Sequence, residues 1–448
     1  MSFHLGKPIL VMLIISLISG GVIAFRAEPP TTDLVLLTFA QPHADTYRSI
    51  IGQFEKQTGK TVSVQVMAPL AENSRLESMF MSDQSSRVLP DVVEVEISNV
   101  SRFLRPPLDE IGFLPLNEYL AKSGWDKKLL APRVATWTKE NVIFGLPHDV
   151  HPVSLTYRRD LFEQAGIDLE EAKTWPQFQK MCLQFQDYWR ARGYPTRHAI
   201  QLSRMDASDL IIMLLQRHVN VVDQYEKIHV NDPIVAQTLA FYAQLVAGPN
   251  QIASDAGGGS GVWTTDVIQG NLCSFLMPDW HVSDIRNFAP QLLGKLRMMP
   301  LPKFDPTDAP TSTWGGTMIA ITRNSRHHDD AWKLIQFLYL SRTGLDAQLK
   351  MTDILPPVTE WWSLPIFHRG DPFFSGQKID ELYIELAHDL PARYVTPVSP
   401  IAESALSIVV DRAINYVENY GTQGLEAHCQ TWLDFVAADL QRRIQHGR

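Results

Sequence analysis

The polar residues best placed to bind a ligand stand where predicted strands end. Glu94 and Glu96 lie two residues apart on one face of a predicted strand, close to its carboxyl end. Gln41 and His43 follow an earlier predicted strand. Carboxylates, amides and imidazoles at such positions can hydrogen bond the hydroxyl groups of a small polar ligand. Each of these residues also has an alternative role. Glu96 could be solvated at the strand end, and Gln41 and His43 could belong to a polar surface loop.

A tryptophan with two glycines and a proline-containing segment supply further candidates. Trp314, Gly315 and Gly316 precede a predicted strand, where paired glycines either let the backbone approach a ligand closely or form a plain turn. Asp149 and His151 lie in the extended, apolar segment GLPHDVHPVSLTY, which two prolines interrupt. Asp149 could contact a ligand there or satisfy backbone donors in a turn, which is the commoner role of aspartate beside proline.

Tyr157 and Arg393 are the remaining candidate binding residues. Tyr157 could reach a cleft or pack in a core with its hydroxyl satisfied. Arg393 lies in the C-terminal part of the chain, and most single arginines are solvated.

Sequence motifs for catalysis and metal binding are missing. The glycine-rich stretch DAGGGSGVW departs from the nucleophile-elbow pattern and from both phosphate-binding fingerprints. His327 and His328 are adjacent, and His148 and His151 have no acid at the offset that a zinc site requires. We therefore expect no catalytic residue, no metal ligand and no cofactor. The many acidic residues leave a glycosidase pair open as an alternative.

Composition and charge narrow the class of protein. The chain has 448 residues, 45% of them hydrophobic and 20% charged, which is long for one globule and favours two lobes. A formal net charge of -9 and a pI near 5.9 argue against nucleic-acid binding. Cys182, Cys273 and Cys429 are widely spaced and odd in number, so we expect three buried thiols, with a single bridge as the alternative.

An apolar segment near the N-terminus, residues 8–25, predicts export. Its length lies between that of a signal-peptide core and that of a membrane span. Residues 1–27 are therefore expected to form either a signal peptide or an N-terminal membrane anchor. The lack of a cysteine near the junction disfavours a lipid anchor and favours the periplasm.

Strands and helices alternate along the first part of the chain. Residues 33–40 and 61–67 predict strands, and the helix between them is predicted to be capped by Asp45 and to stop at Gly59. A further strand is predicted over 91–97. This alternation predicts a mostly parallel, doubly wound sheet, in which ligands collect at the carboxyl ends of the strands.

The rest of the chain is predicted to be mostly helical. Helices are predicted over 175–189, 233–246 and 329–341, and a strand over 317–321. The proline-broken segment 296–304 resembles a second crossing between lobes, after the one that contains Asp149.

Several phrases of the chain occur in the order and spacing of one protein family. They are FEKQTGKTVSV, LPDVVEV, GLPHDVHPVSLTYRRDLFEQAGID, KTWPQF, MPLP and HHDDAWKLIQFL. From about residue 34 to residue 420, the chain thereby resembles extracellular solute-binding proteins of the maltose-binding, family 1 type, which serve ABC importers.

The resemblance implies a type II-like periplasmic binding protein fold, with two doubly wound α/β lobes joined by hinge crossings. One lobe would comprise residues 31–146 and 303–350, and the other residues 147–302 and 351–448. The three crossings would fall near 144–149, near 298–304 and between 340 and 358.

The resemblance also implies a role for Trp280. In MPDWHVS it occupies the place of the family's Gly-x-Trp phrase, whose tryptophan commonly stacks on a sugar ring, although Pro278 and Asp279 replace the usual small residues. A sugar pocket needs aromatic faces for C–H patches and acceptors for hydroxyl groups. Similar proteins place a polar ligand contact at the first crossing, where Asp149 and His151 lie.

We therefore predict an exported, periplasmic receptor that captures a small polar solute, a sugar or oligosaccharide, in a cleft between its lobes. Its expected partners are this carbohydrate and the permease subunits of an inner-membrane ABC transporter, and we expect a monomer. A polyol-phosphate or polyamine receptor of the same fold, a metal carrier and a glycoside-acting enzyme are the alternatives.

Overall fold

The computed structural model describes residues 6, 11–12, 14–16, 32–81, 90–105, 107–255 and 261–446. Most of the predicted export segment lies outside these residues. In the part of the chain that is described, no helix is both long and apolar enough to cross a membrane.

Strands and helices are distributed along the whole described chain. The strands are β1 (Leu34–Thr38), β2 (Val62–Val66), β3 (Val92–Glu96), β4 (Thr138–Lys139), β5 (Val142–Ile143), β6 (Leu146–Pro147), β7 (Val153–Arg158), β8 (Ile200–Gln201), β9 (Ala253–Ser254), β10 (Ser274–Pro278), β11 (Leu296–Met299) and β12 (Thr317–Ile321). The helices are α1 (Gln41–Thr58), α2 (Pro69–Phe80), α3 (Ile97–Val100), α4 (Asn117–Ser123), α5 (Ala131–Ala135), α6 (Arg159–Gln164), α7 (Trp175–Arg190), α8 (Ser208–Gln216), α9 (Pro233–Val246), α10 (Gly261–Gln269), α11 (Trp280–Phe288), α12 (His328–Tyr339), α13 (Arg342–Met351), α14 (Ile379–Ala387), α15 (Ser399–Tyr420) and α16 (Leu425–His446).

The first sheet has the strand order β2-β1-β3-β12-β6. β1 pairs in parallel with both β2 and β3, as the strand–helix–strand pattern predicts. β12 comes from much later in the chain and pairs antiparallel with β3 and β6. Every residue of β1 and of β12 is buried, because helices cover both faces of the sheet.

The second sheet has the order β10-β7-β11, and both of its pairings are antiparallel. The alternation of strands and helices predicted mostly parallel, doubly wound sheets. In this part of the chain, the described strands that pair in parallel are β8 and β9, which form a short ladder. The second sheet differs from the prediction because β10 and β11 lie on either side of β7 and both run antiparallel to it. They run parallel to each other and are joined by a crossover that contains α11.

The first long helix begins earlier than predicted. The sequence suggested a loop from Gln41 to Asp45, with Asp45 as the cap, but α1 already starts at Gln41 and has no side-chain cap. Pro42 in the first turn explains the early start, because its fixed φ suits that position and it lacks the N–H that would be left unpaired. The predicted stop is confirmed, since Gly59 ends the helix with a left-handed φ of 72°.

The other predicted elements agree closely with the structure. α9 and β12 have the predicted bounds, and α12 lies within two residues of its predicted range. α7 begins at Trp175 behind a capping box, in which Thr174 and Gln177 bond each other's backbone.

Each sheet has hydrophobic cores of its own. Leu36 and Ile319 of the first sheet pack in one core, and Val95 and Met318 pack in another on the opposite face. The second sheet likewise separates two further cores. Separate cores are the physical basis of two lobes, and α13 bridges them, since Leu345 and Ala347 belong to cores of different sheets. The lobe boundaries stay a prediction.

The three cysteines are buried and free, as expected. Burial raises the pKa of all three thiols, of Cys273 and Cys429 to about 12, so the uncharged thiol is the stable form.

Two glycines of α1 should respond to alanine substitution with opposite signs. Gly52 lies inside the helix and Gly59 ends it at positive φ, and a Cβ would meet no atom within 4 Å at either position. Gly52→Ala should therefore stabilise the protein by roughly 0.5–1 kcal/mol, and Gly59→Ala should destabilise it by about 1 kcal/mol. Urea unfolding of the two variants measures the free energies, and effects of the same sign would contradict the assignment.

Candidate functional site

A cavity of about 670 Å³ beside Trp280 could hold a small ligand. This volume lies within the ~300–1,000 Å³ that small-molecule pockets commonly have. Aromatic side chains form one part of its wall, namely Trp263, Phe275, Trp280, His281 and Trp314. Polar side chains also line it, namely Gln201, Ser203, Arg204, Asp206, Ser208, Asp209, Asp255 and Asp284.

Trp280 and Trp314 meet at one corner of the pocket. The indole Nε1 of Trp280 donates to the carbonyl oxygen of Trp314 at 3.1 Å, and the two rings stand edge to face with centroids 5.8 Å apart. Gly315 makes this approach possible, because its φ is 86° and a Cβ would lie 3.3 Å from the Trp280 Nε1. The structure thus brings together two aromatic residues and a glycine that the sequence singled out separately.

Four aspartates line the pocket, and none was among the predicted binding residues. Asp206 and Asp209 follow β8, and Asp255 follows β9, so these acids stand at the carboxyl ends of two parallel strands. The rule that placed the candidates of the first sheet would have found these acids too. β8 and β9 have two residues each, which is too short a signal to recognise in the sequence.

The charge of this pocket wall is predominantly negative. Burial, followed by repulsion from Asp206 and Asp255, raises the pKa of Asp209 to about 7, although the backbone N–H of Ser203 stabilises its carboxylate. Arg204 is the single arginine or lysine among the lining residues that the structure describes, and its guanidinium pairs with Glu418 at 2.7 Å.

His281 contributes an uncharged imidazole to the aromatic part of the wall. Its ring stacks on Trp263 with centroids 5.1 Å apart, and burial lowers its pKa to about 4. The ring is therefore neutral at physiological pH, and it adds a flat surface rather than a positive charge.

Asp149 lies behind the aromatic corner and is fully buried. Its carboxylate accepts bonds from Arg133 at 2.5 Å, from His151 Nε2 at 3.0 Å and from the backbone N–H of Thr317 at 3.0 Å. Burial opposes ionisation, but His151 and Arg133 outweigh it and hold the pKa of Asp149 well below its usual range. These bonds satisfy donors inside the protein, and the contact of Asp149 with a ligand stays a prediction.

His151 is held between two buried carboxylates. Its Nδ1 lies 2.5 Å from Asp279 and its Nε2 lies 3.0 Å from Asp149. Burial lowers the pKa of His151, but the two aspartates more than reverse this effect and raise it to about 9. Its φ of 56° is left-handed, which a histidine adopts where its surroundings fix it.

His43 belongs to a second buried cluster, around Glu94. The Glu94 carboxylate accepts from the hydroxyls of Tyr47 and Tyr339 and lies 3.0 Å from His43 Nδ1. Burial disfavours the charge of Glu94, but His43, His148 and hydrogen bonds hold its pKa at about 2. The buried Glu94 therefore has the partners that such a charge requires.

His43, Glu94 and His148 form a group of three possible metal ligands among the described residues. The imidazoles of His43 and His148 are stacked, with centroids 4.1 Å apart and planes inclined by 30°. The cluster combines the hydrogen bonds of Glu94 with the stacking of the two imidazoles.

The remaining predicted residues lie in three different places. Glu96 caps α3 by accepting from Ser98 N at 3.0 Å, and burial raises the pKa of Glu96 while Arg393 opposes this rise. Gln41 is exposed and bonds Asp45 at 2.7 Å. Tyr157 lies 3.4 Å from Glu170 and lines a separate cavity of about 450 Å³, so the structure does not bring it to Trp280.

The family model and the similar proteins of known function agree on one protein family. The family model for the bacterial extracellular solute-binding protein matches residues 40–343. An arabinooligosaccharide-binding protein of Halalkalibacterium halodurans is 21% identical over 387 residues, which cover 84% of this chain and 83% of the relative. One of Bacillus subtilis is 23% identical over 396 residues, which cover 86% of this chain and 89% of the relative.

Solved structures share the fold over nearly the whole chain. The sugar-binding protein MalE from Xanthomonas citri superposes with a TM-score of 0.72 at 20% identity, over 93% of this chain and 99% of its own. A binding protein from B. animalis subsp. lactis, in complex with beta-1,6-galactobiose, gives 0.68 at 18% identity, over 91% and 98%. The two-lobed α/β fold predicted from the sequence is thereby confirmed.

The protonated His151 should make stability depend on pH. Its pKa is raised to about 9 in the folded protein, so its contribution is complete below its unfolded value of about 6.5 and is lost as pH rises through about 9. His151→Asn removes the titrating group and keeps a residue that tolerates positive φ. In urea unfolding, the advantage of the wild type over this variant should shrink between about pH 6 and pH 10. A constant advantage would contradict the raised pKa.

Proposed function

This chain belongs to the bacterial extracellular solute-binding protein family, and we propose that it is the receptor of an ABC importer that binds an oligosaccharide beside Trp280 and Trp314. The observation that carries this proposal is the pocket itself, which is lined by a corner of two tryptophans and by four aspartates. The arabinooligosaccharide-binding relatives support the same class of ligand.

The pocket matches the two chemical sides of a sugar. The face of a pyranose or furanose ring presents C–H groups that pack against an indole, and Trp280 and Trp314 supply two such surfaces at an angle. The ring edge presents hydroxyl donors, for which Asp206, Asp284 and Gln201 offer acceptors. A cavity of about 670 Å³ leaves room for more than one sugar ring.

Most of the predicted binding residues fall into three groups in this proposal. Trp280, Trp314 and Gly315 form the wall that touches the ligand. Asp149, His151 and Gly316 lie behind the wall and hold it in place, and His43 belongs to the separate cluster around Glu94. Glu96 at the end of β3 and Arg393, which pairs with Glu403 at 2.9 Å, interact electrostatically, and we assign Glu96 to the first lobe's side of the cleft and Arg393 to the second lobe's side.

We further propose that the two lobes, 31–146 with 303–350 and 147–302 with 351–448, rotate about the hinge crossings. Ligand favours the closed state by the additional contacts made there. The receptor is a monomer that is exported to the periplasm, with residues 1–27 as signal peptide or anchor, and its closed form meets the permease. It carries out no chemical step, because its relatives are binding proteins and its function requires capture and release.

A polyamine is the second candidate ligand. It is favoured by the four aspartates of the pocket, which would pair with ammonium groups, and by the aromatic faces beside them. A polyol phosphate fits less well, because a phosphate ester needs cationic or backbone donors and Arg204 is already paired with Glu418.

A ligand panel tests the proposal directly. Arabinotriose, beta-1,6-galactobiose, maltose, spermidine and glycerol 3-phosphate are added separately in a thermal unfolding assay, since a ligand of the folded state raises the melting temperature. We expect a rise with at least one neutral oligosaccharide. A rise with spermidine alone would replace the sugar by the second candidate, and release of monosaccharide would indicate an enzyme.

Trp280→Ala should remove most of this binding. Loss of a central aromatic contact commonly costs about 2 kcal/mol or more, which is roughly thirtyfold in Kd. Phe288→Ala is the matched control, because Phe288 lies on the same helix α11, is exposed and does not line the pocket. Titration calorimetry with the saccharide found in the panel measures both variants, and equal affinity of Trp280→Ala and wild type would move the site elsewhere.

Lobe closure should be visible in solution scattering. Addition of saturating saccharide is expected to reduce the radius of gyration of the wild type and to leave that of Trp280→Ala unchanged at the same concentration. Identical profiles with and without ligand would show that binding and closure are not coupled.

A further inference from the structure

Arg133 is a buried arginine that neither the sequence patterns nor the pocket lining singled out. It stands on the short helix α5, and 1% of its side chain is exposed. Its guanidinium donates to four oxygens. They are the Asp149 carboxylate (2.5 Å), the Asp149 carbonyl (3.1 Å), the Thr313 hydroxyl (3.0 Å) and the Gly315 carbonyl (3.4 Å).

These acceptors lie on two segments that are far apart in sequence. Asp149 belongs to the segment between β6 and β7, and Thr313 and Gly315 belong to the segment that leads into β12. Arg133 therefore fastens these two segments to each other. A planar guanidinium can bond both at once because its five N–H groups point in fixed, divergent directions.

Gly316 leaves space for the guanidinium of Arg133 because it has no side chain. A Cβ on this residue would collide with the guanidinium of Arg133, and its φ of 148° is unfavourable for other residues. The glycine pair thus serves two contacts, since Gly315 admits the indole of Trp280 and Gly316 admits Arg133. Both contacts are made at the backbone that directly follows Trp314.

Trp314 is fixed on both sides by this arrangement. Arg133 bonds the residue before it and the residue after it, and the carbonyl of Trp314 itself accepts from Trp280. From this geometry we infer that Arg133 is a positioning residue for ligand binding, which holds the Trp314 backbone so that the corner of Trp280 and Trp314 is formed before the ligand arrives. This inference rests on the proposed function, because it assigns the corner to the ligand.

Preformation matters because a ligand that must first order its site binds more weakly by the cost of that ordering. Without Arg133, the carboxylate of Asp149 would keep His151 and the Thr317 N–H as partners. The carbonyl of Gly315 and the hydroxyl of Thr313 would lose theirs. The segment that carries Trp314 would loosen, whereas the cores of both lobes would remain.

The test compares Arg133→Gln and Arg133→Lys with a buried arginine elsewhere. Arg158→Gln is the matched control, because Arg158 is also buried, pairs with Asp160 and bonds the carbonyls of Val267 and Ile268, but does not line the pocket. Melting temperature, Kd for the saccharide of the panel and amide hydrogen exchange of residues 311–318 are measured for each protein.

We expect the two arginines to separate in these measurements. Arg133→Gln should weaken saccharide binding by about tenfold or more and speed hydrogen exchange in 311–318. Arg133→Lys should recover only part of the affinity, because an ammonium cannot bond both segments in the same geometry. Arg158→Gln should lower the melting temperature but leave Kd within about twofold and exchange in 311–318 unchanged.

The opposite pattern overturns the inference. If Arg133→Gln keeps the wild-type Kd, or if Arg158→Gln loses as much affinity at an equal loss of melting temperature, Arg133 has a structural role alone. If Arg133→Gln does not fold, Thr313→Val removes one of its acceptors and should show the same effects in smaller measure. If the wild type binds no saccharide, the proposed function fails, and hydrogen exchange still decides whether Arg133 orders 311–318.

Discussion

The ionised Asp149, paired with Arg133 and His151, is the interaction on which the arrangement of the site depends. A buried carboxylate without partners would be expensive, and here two cationic side chains and a backbone N–H surround it. Each partner comes from a different part of the chain, so the requirement to neutralise one charge fixes several segments at once. Asp279 extends the network, because it bonds His151 and accepts from the backbone N–H of Leu355 at 2.8 Å.

The pocket depends on this network although the network does not line it. Gly315 and Gly316 lie between the two, with the indole of Trp280 against the first and the guanidinium of Arg133 against the second. The aromatic corner is therefore held from behind by charged groups that are shielded from water. Four aspartates line the same cavity. Such a division gives a rigid surface for the ring of a sugar and polar groups that can adapt to its hydroxyls.

Each sheet has its own cores, and helix α13 connects them, which is compatible with the proposed opening and closing of the lobes. In the proposed lobe closure, the cores of the two sheets would move as bodies about the backbone between them. The segment between β6 and β7 contains Asp149 and His148, and the imidazole of His148 stacks on that of His43 at the start of α1. Bonds made there are short and specific, so rotation is expected to occur at the backbone next to the network, while the network itself stays intact.

The sequence by itself determined the elements and the fold class. Apolar runs, prolines and Gly59 located strands and helices, because these signals act within a few residues of the chain. It also identified Trp280, Trp314 and Gly315, but it could not show that they meet. Only the tertiary structure revealed the buried partners of Asp149 and His151, the acids that follow β8 and β9 in the pocket, and the position of Arg133. The physical reason is that burial and charge pairing depend on segments such as 133, 149 and 313–317 coming together, and no local pattern records which distant residue will supply the partner.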